Sequence, residues 1–416
     1  MNNLESKYLK LKYGMHLRYI KRTGFKSSFA MFSVKYGSSD FNFSLDGKVY
    51  KTKPGIAHFI EHKCFAMPDG SDAFYKFSSL GASANAYTTY DRTIYYFKTV
   101  SDLYEPLGLL IDMMLSKGFT KENIEREKSI ICNEINMYSS NIDYKMETLT
   151  MKNMFLETGY SYDIAGEVND VINTTLEEIL INYEAFYHPK NLILTVVGDF
   201  DEEYLINFVN SYLDKYDFTD HNVISLSNIA NIIVDEDIKV LKKNNTAGKF
   251  SLGIRLNTLN EYNPFDTLYY DFILGVLSSD SSKIYQKLIK NEIINPGLYY
   301  EIHSNKDIAY ALLIGTANDP IKAVTKLKKT IKELNLNDFN IEDFNNFKKY
   351  TYSYQLINFD NIQALGEMVS DYDIDDIDFF QNFSNFKNIE FSKITNYLVN
   401  FKNAKISATV IENNLK

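Results

Sequence analysis

The chain has 416 residues, of which 45% are hydrophobic and 24% charged, a composition typical of a globular protein with two or three domains. Its net charge of −10 argues against a nucleic-acid-binding protein, because such proteins need a basic surface for the phosphates. Two cysteines, Cys64 and Cys132, imply no disulfide framework. The N-terminal residues lack a signal-peptide pattern and the apolar runs are too short to span a bilayer, so we expect a cytoplasmic protein without membrane insertion.

Strands and helices alternate along the first half of the chain. Runs of aromatic and β-branched residues predict strands, and apolar residues at helical spacing predict helices. In chain order, the predicted elements are a strand at residues 27–36, a helix at 56–65, a strand at 93–100, helices at 103–117, 121–139 and 176–186, a strand at 191–197 and a helix at 202–216.

The second half repeats this rhythm after a polar, non-periodic stretch at residues 217–228, which is the predicted linker. Its predicted elements are a strand at 249–256, helices at 264–277 and 282–290, strands at 298–303 and 309–316, helices at 321–334 and 341–356, and a strand at 408–411. Hairpin-like strand pairs favour an α+β fold. We therefore expect two homologous domains, residues 1–216 and 229–416, each with a mostly antiparallel sheet packed against helices.

Residues 58–62 carry the pattern H-x-x-E-H on a predicted helix. Positions i, i+3 and i+4 share one helix face, so His58, Glu61 and His62 point the same way, while Phe59 and Ile60 face the core. Two imidazoles one turn apart can bind one Zn²⁺, and the carboxylate beside them can take a proton from a zinc-bound water. With only six histidines in the chain, a chance match has a probability of roughly 0.5%, which favours metal binding.

A catalytic zinc site needs a third protein ligand, and the predicted helix at 121–139 offers candidates. Glu127 and Glu134 are seven positions apart, so they lie on one helical face beside the apolar Ile131. A solvent-exposed, charged helix is the simpler interpretation of this stretch taken alone. The stretch becomes a candidate because the upstream motif lacks a ligand.

Several segments together resemble the pitrilysin/insulinase family of zinc peptidases. The family has an E-x-x-x-x-x-x-E pair downstream of its H-x-x-E-H at a spacing close to that found here, where Glu134 follows His62 by 72 positions. Residues 81–88 (GASANAYT) are similar to the family's G-x-x-x-N-A-x-T segment. Residues 187–191 and 197–200 are similar to its Y-x-P-x-N and V-G-D-x segments.

The resemblance implies a role for each matching residue. His58, His62 and Glu134 would bind one zinc ion per chain. Glu61 would be the general base that activates a zinc-bound water, and Glu127 would orient a ligand histidine. The strand with Asn85 and Ala86 would pair its main chain with the backbone of a bound peptide. The implied activity is hydrolysis of short or unfolded peptides.

One part of the family pattern is missing. The family's L-R-E-x-x-x-L-A-Y segment supplies an Arg and a Tyr to the catalytic site, and residues 288–300 offer Tyr300 but no arginine. Arg255 is the only arginine after Arg126, and lysine does not replace arginine in bidentate recognition. The gap implies a homologous companion subunit that supplies the Arg/Tyr pair in a heterodimer, with a homodimer as the alternative.

Three other interpretations stay open at this point. The chain could be a non-catalytic structural or substrate-presenting subunit of the same fold, or a zinc-dependent hydrolase that acts on something other than peptides. Tyr300 could simply pack in a strand, and His188 and His303 are interpreted as structural or exposed residues.

Overall fold

The computed structural model describes residues 5–226, 232–244, 247–256 and 263–413. Residues 227 and 228 of the predicted linker lie outside these ranges. Within them, none of the helices has both the length and the apolar character needed to cross a lipid bilayer.

The described residues form both β-strands and α-helices. The strands are β1 (Glu5–Lys10), β2 (His16–Lys21), β3 (Ser28–Val34), β4 (Asn42–Leu45), β5 (Lys48–Lys51), β6 (Ala82–Thr88), β7 (Thr93–Thr99), β8 (Leu192–Gly198), β9 (Val223–Ser225), β10 (Ile238–Lys243), β11 (Lys249–Leu256), β12 (Tyr299–Ser304), β13 (Ala309–Thr316) and β14 (Lys405–Asn413). The α-helices are α1 (Ile56–Cys64), α2 (Ala73–Ser79), α3 (Tyr104–Leu115), α4 (Lys121–Ser140), α5 (Ile142–Met154), α6 (Val168–Asn173), α7 (Leu176–Phe186), α8 (Glu202–Leu213), α9 (Phe265–Ser278), α10 (Lys283–Lys290), α11 (Pro320–Glu333), α12 (Ile341–Asn358), α13 (Ile362–Ile374), α14 (Phe379–Ser384) and α15 (Ile394–Asn403).

The chain forms two compact units, each assembled from three separate segments. The first unit comprises Met1–Asn136, Tyr162–Ser227 and Gln355–Phe380, and the second comprises Met137–Ser161, Asn228–Tyr354 and Gln381–Lys416. The units change at Ser227, next to the end of the predicted linker, but they are not the contiguous halves that the sequence predicts. Helix α5 belongs to the second unit and helix α13 to the first, because each packs on the sheet of that unit.

A six-stranded sheet in the order β1-β2-β8-β3-β7-β6 is the centre of the first unit. All its strand pairs are antiparallel except β2 with β8. Strand β3 is buried along its whole length, because helix α13 covers it together with β8. Gly366 of α13 allows this close packing, since a Cβ there would lie 2.7 Å from the ring of Phe29. Strand β6 lies at one edge of this sheet, and β1 lies at the other.

The second unit has a five-stranded sheet in the order β10-β14-β11-β13-β12, in which only the β10–β14 pair is parallel. Helix α5 packs on β11 and β14, and the hydroxyl of Ser407 donates a hydrogen bond of 3.0 Å to the carbonyl oxygen of Thr150. Both units thus combine a mostly antiparallel sheet with helices, and the predicted α+β class is confirmed.

The structure also contains elements that the sequence patterns do not predict. Strand β9 lies inside the predicted linker and pairs with β4, a partner about 180 residues away, so no local alternation marks it. Strands β1 and β2 carry charged residues along their length, which masks the period of two. Several further elements, among them α5, α13 and α15, also have no counterpart in the sequence prediction. Where an element is predicted, the predicted and observed bounds agree within a few residues, and α7 matches its prediction at both ends.

Candidate metal centre

The position and orientation of helix α1 are determined by the glycine at which it begins and by the residues that it buries in the core. It begins after Gly55, whose φ is 87°, and a Cβ there would lie 2.4 Å from the carbonyl oxygen of Ala165, so only glycine fits this start. Phe59 and Ile60 are buried in the core of the first unit, as the sequence predicts. This packing leaves the other face of the helix to the polar residues of the H-x-x-E-H motif.

Three predicted zinc ligands lie together between α1 and α4. Oε2 of Glu134 is 3.8 Å from Nε2 of His58 and 3.5 Å from Nε2 of His62. One ligand atom from each residue lies within 4.8 Å of the other two. Two ligand atoms bound to a tetrahedral zinc ion at about 2.1 Å are about 3.4 Å apart. The spacing of the three residues therefore fits one zinc ion.

The protonation chemistry of the two imidazoles also fits a metal. Burial, together with the neighbouring His62, lowers the pKa of His58 to about 4, so this ring is neutral at pH 7. Its Nδ1 is buried and has no hydrogen-bond partner within the described ranges. Burial also lowers the pKa of His62, but hydrogen bonds with Glu127 and Glu134 outweigh this effect and raise the pKa to about 9. A bound cation would take the place of the His62 proton beside Glu134.

Glu127 holds His62 from the side away from Glu134. Its Oε1 lies 3.1 Å from Nδ1 of His62, and its Oε2 accepts a hydrogen bond of 2.9 Å from Nζ of Lys63. Burial raises the pKa of Glu127, but these two contacts lower it to about 2. Glu127 is therefore a carboxylate at neutral pH, in the place that the family resemblance implies.

Glu61 lies next to the three ligands and is mostly buried. Its Oε2 accepts a hydrogen bond of 2.6 Å from the hydroxyl of Thr88 at the end of β6. Burial raises the pKa of Glu61, and the bond from Thr88 partly offsets that rise. A raised pKa brings a carboxylate closer to the value that suits a general base near neutral pH.

A cavity of about 720 Å³ opens beside Glu61 and His62. Asn85 and Ala86 of the edge strand β6 lie on its border. Its remaining walls come from α1, α2, α4 and the segments next to them, and they include Phe65, Met67, Phe74, Lys117, Arg126 and Ile130.

The structure places Tyr300 in strand β12 of the second unit. Its hydroxyl donates hydrogen bonds to the carboxylate and the backbone carbonyl of Asp271, and burial together with Asp271 raises its pKa strongly. These contacts match the alternative of a packed strand residue. Arg255 donates to the carbonyl oxygens of Leu256 and Ala309, so its guanidinium is engaged by its own sheet.

Two residues at the centre have no role in the sequence prediction. Lys63 is buried beside Glu127, although lysine is a residue type expected at the surface. Thr88 closes the segment that resembles the family's G-x-x-x-N-A-x-T, which is the one signal that could have identified it.

Two family descriptions match consecutive parts of the chain. Residues 47–168 match "Insulinase (Peptidase family M16)", and residues 173–350 match "Peptidase M16 inactive domain". The first range contains the whole metal cluster, and the second contains Tyr300 and Arg255.

Similar proteins agree with this assignment. The chain is 33% identical over 322 residues to the uncharacterized zinc protease YmfH of Bacillus subtilis. The aligned region covers 75% of this chain and 74% of that protein. A putative M16-like peptidase from Alicyclobacillus acidocaldarius has the same fold, with a TM-score of 0.88, 24% identity and 99% of each chain covered. A protease from Helicobacter pylori also shares it, with a TM-score of 0.81, 17% identity, 98% of this chain and 100% of that chain covered. The chain belongs to peptidase family M16, the insulinase family.

Proposed function

We propose that this protein is a zinc-dependent peptidase that hydrolyses short or unfolded peptides, with Glu61 as its general base. The observation that carries the proposal is the cluster of His58, His62 and Glu134 at the spacing of zinc ligands, with Glu61 beside it. The name of the Bacillus subtilis relative as a zinc protease supports the same chemistry.

The donor set indicates how one zinc ion would be held. His58 and His62 would bind through Nε2 and Glu134 through Oε2, and one coordination position would remain for the reaction. Zinc in such a site polarises a peptide carbonyl and lowers the pKa of water. Glu127 would hold the ring of His62 in place during the reaction.

Glu61 has the position and the environment of a general base. It would accept the proton of the water that attacks the peptide carbonyl, and it would then pass this proton to the departing amine. Thr88 holds one carboxylate oxygen of Glu61, which leaves the other oxygen for the proton. The raised pKa makes the Glu61 carboxylate a better proton acceptor, which suits a group that takes a proton from water before it passes the proton on.

The substrate class follows from the edge strand. A peptide that pairs with β6 beside Asn85 and Ala86 must have an extended backbone with free N–H and C=O groups. Folded proteins have these groups paired within their own secondary structure. Short peptides and unfolded segments therefore fit this site, whereas the interior of a folded domain does not.

We also propose that the protein is cytoplasmic and that it works with a homologous companion subunit. Two free cysteines, Cys64 and Cys132, support a reducing compartment. Tyr300 hydrogen-bonds to Asp271, and Arg255 hydrogen-bonds to the carbonyl oxygen of Ala309. Because these contacts occupy both side chains, the two residues do not offer an Arg/Tyr pair to a substrate, which supports a companion subunit. A second copy of this chain is the alternative companion.

A panel of quenched fluorescent peptides tests the activity, and elemental analysis tests the metal. We expect one zinc per chain, and we expect Glu61→Gln to lower kcat/KM by about 100-fold or more while zinc content stays unchanged. Glu125→Gln, at an exposed position of α4, is the matched control. Cleavage at the full rate by Glu61→Gln would contradict the mechanism, and a chain without zinc after reconstitution would favour the non-catalytic subunit.

A further inference from the structure

Lys63 is a buried lysine directly after the second histidine of the motif. Only 6% of its side chain is exposed, whereas lysine is almost never buried without a charged partner. Burial of the ammonium group removes its hydration, so the fold must supply a compensating contact. That contact identifies what Lys63 does.

The contact is with Glu127, which Lys63 shares with His62. Nζ of Lys63 donates to Oε2 of Glu127 at 2.9 Å, and Oε1 of the same carboxylate lies 3.1 Å from Nδ1 of His62. A glutamate carboxylate turns readily about its last torsion, because that torsion is broad and nearly two-fold. Occupation of both oxygens by consecutive residues of one rigid helix removes this freedom.

The orientation of His62 depends on this carboxylate. With Nδ1 held by Glu127, the Nε2 atom of the ring is the one that faces Glu134, at 3.5 Å. A partner on the far nitrogen of a ligand histidine fixes both its tautomer and the angle of its ring. A carboxylate free to rotate would fix neither as well.

Stability of the fold gives no sufficient reason for a lysine here. A buried ion pair loses about as much in desolvation as it gains in attraction, and apolar residues of similar size often replace such pairs without loss of stability. Apolar residues in place of both Lys63 and Glu127 would fill the same space, whereas methionine in place of Lys63 alone leaves the Glu127 carboxylate beside His62 without its lysine. The value of Lys63 therefore lies in what it does to Glu127.

We infer that Lys63 is a positioning residue of the metal centre, which locks the Glu127 carboxylate and through it aims the Nε2 atom of His62 at the zinc position. The inference rests on the proposed zinc function, and it adds a residue outside the H-x-x-E-H and glutamate pattern to the machinery of the site.

Zinc affinity, measured by competition with a chromophoric chelator, tests this role without any substrate. We expect Lys63→Met to weaken zinc binding by about tenfold or more, the size of effect typical for a residue that supports a metal ligand. Lys63→Arg keeps the charge and should restore most of the affinity. Lys76→Met removes the exposed ion pair with Asp69 (2.8 Å) and should leave the affinity unchanged.

Two further measurements separate positioning from a general structural effect. In a Glu127→Gln background, Lys63→Met should cause little additional loss, because Lys63 acts through Glu127. The absorption bands of the cobalt-substituted protein should change with Lys63→Met and return with Lys63→Arg. If Lys63→Met folds poorly by circular dichroism, Lys63→Gln, whose side chain is one atom shorter, takes its place with the same expected loss.

The outcomes are distinguishable from those of the proposed function. Zinc binding as tight in Lys63→Met as in the wild type, or a full additional loss in the Glu127→Gln background, would overturn the role of Lys63 alone. A wild-type protein that binds no zinc would overturn both the role and the proposed function.

Discussion

The hydroxyl of Thr88 donates a hydrogen bond of 2.6 Å to the carboxylate of Glu61. Thr88 is the last residue of the edge strand that carries Asn85 and Ala86. It therefore connects the proposed base, Glu61, with the strand that would bind the peptide. A hydrogen bond to a charged group contributes about 1.5–3 kcal/mol when it is buried. Its loss would let the carboxylate turn away from the water that it must deprotonate.

We therefore expect Thr88→Val to lower kcat by about tenfold with little change in KM, and Thr88→Ser to restore the rate. Steady-state kinetics on a fluorescent peptide measures both constants. Ser83→Ala, at an exposed position of the same strand, is the control and should have wild-type kinetics. An equal loss in the serine variant would assign the effect to the methyl group rather than to the hydroxyl.

Glu134→Gln should abolish tight zinc binding while the apo fold survives. The amide keeps the shape of the side chain but removes the charge that zinc requires from this ligand. We expect zinc affinity to fall by about 100-fold or more, as measured by chelator competition, with an unchanged circular dichroism spectrum. Glu125→Gln on the same helix should bind zinc normally. Normal zinc content in Glu134→Gln would exclude this residue as a ligand.

His188 should make the stability depend on pH below neutrality. Its Nδ1 accepts a hydrogen bond of 3.2 Å from the backbone N–H of Lys190, so this nitrogen must be unprotonated in the fold. Burial, with a contribution from His221, lowers the pKa of His188 to about 4. The unfolded chain takes up the proton near pH 6.5, so the free energy of unfolding should fall by about 1–2 kcal/mol as the pH drops from 6.5 towards 4.

Urea unfolding at pH 8 and pH 5 measures this effect. Asn can accept the same backbone hydrogen bond but does not titrate, so His188→Asn should show a smaller difference in unfolding free energy between the two pH values. The same difference in the variant and in the wild type would assign the pH dependence to other groups.

A buried ion pair anchors α13 to the first sheet. Arg18 of β2 donates to both carboxylate oxygens of Asp373, at 2.8 and 2.5 Å, and both side chains are almost fully buried. Removal of one partner leaves the other charge buried, so Asp373→Asn should lower the free energy of unfolding by about 3 kcal/mol. Asp360→Asn is the control, because Asp360 is exposed and its ion pair with Arg22 is long, at 3.5 Å. An equal small loss in both variants would contradict the importance of the buried pair.

The sequence was informative wherever the chemistry was local. The helix face with His58, Glu61 and His62 follows from the spacing of five consecutive residues. Glu134 lies 72 positions further on, and only the family resemblance connects it to them. Lys63 could not be predicted, because nothing in the local sequence indicates that this lysine is buried and pairs with a glutamate 64 positions away.

The same limit applies to the fold. The periodic helices and the buried strands were predictable, because their patterns repeat within one element. The placement of α13 was not, since its partner Arg18 lies 355 positions away. Nothing in either local sequence indicates that a helix from the second half of the chain covers β3 and β8.

The position of α13 sets an order of events during synthesis. The proposed metal ligands and the proposed base all lie within the first 134 residues, yet α13, which covers β3 and β8 of the same unit, is made only after residue 361. A nascent chain therefore carries its metal-binding residues long before the unit around them can close. Cutting the gene at the apparent linker would yield a fragment that has every proposed ligand but lacks the helix that covers β3 and β8, so we expect the first unit to fold fully only after most of the protein has been translated.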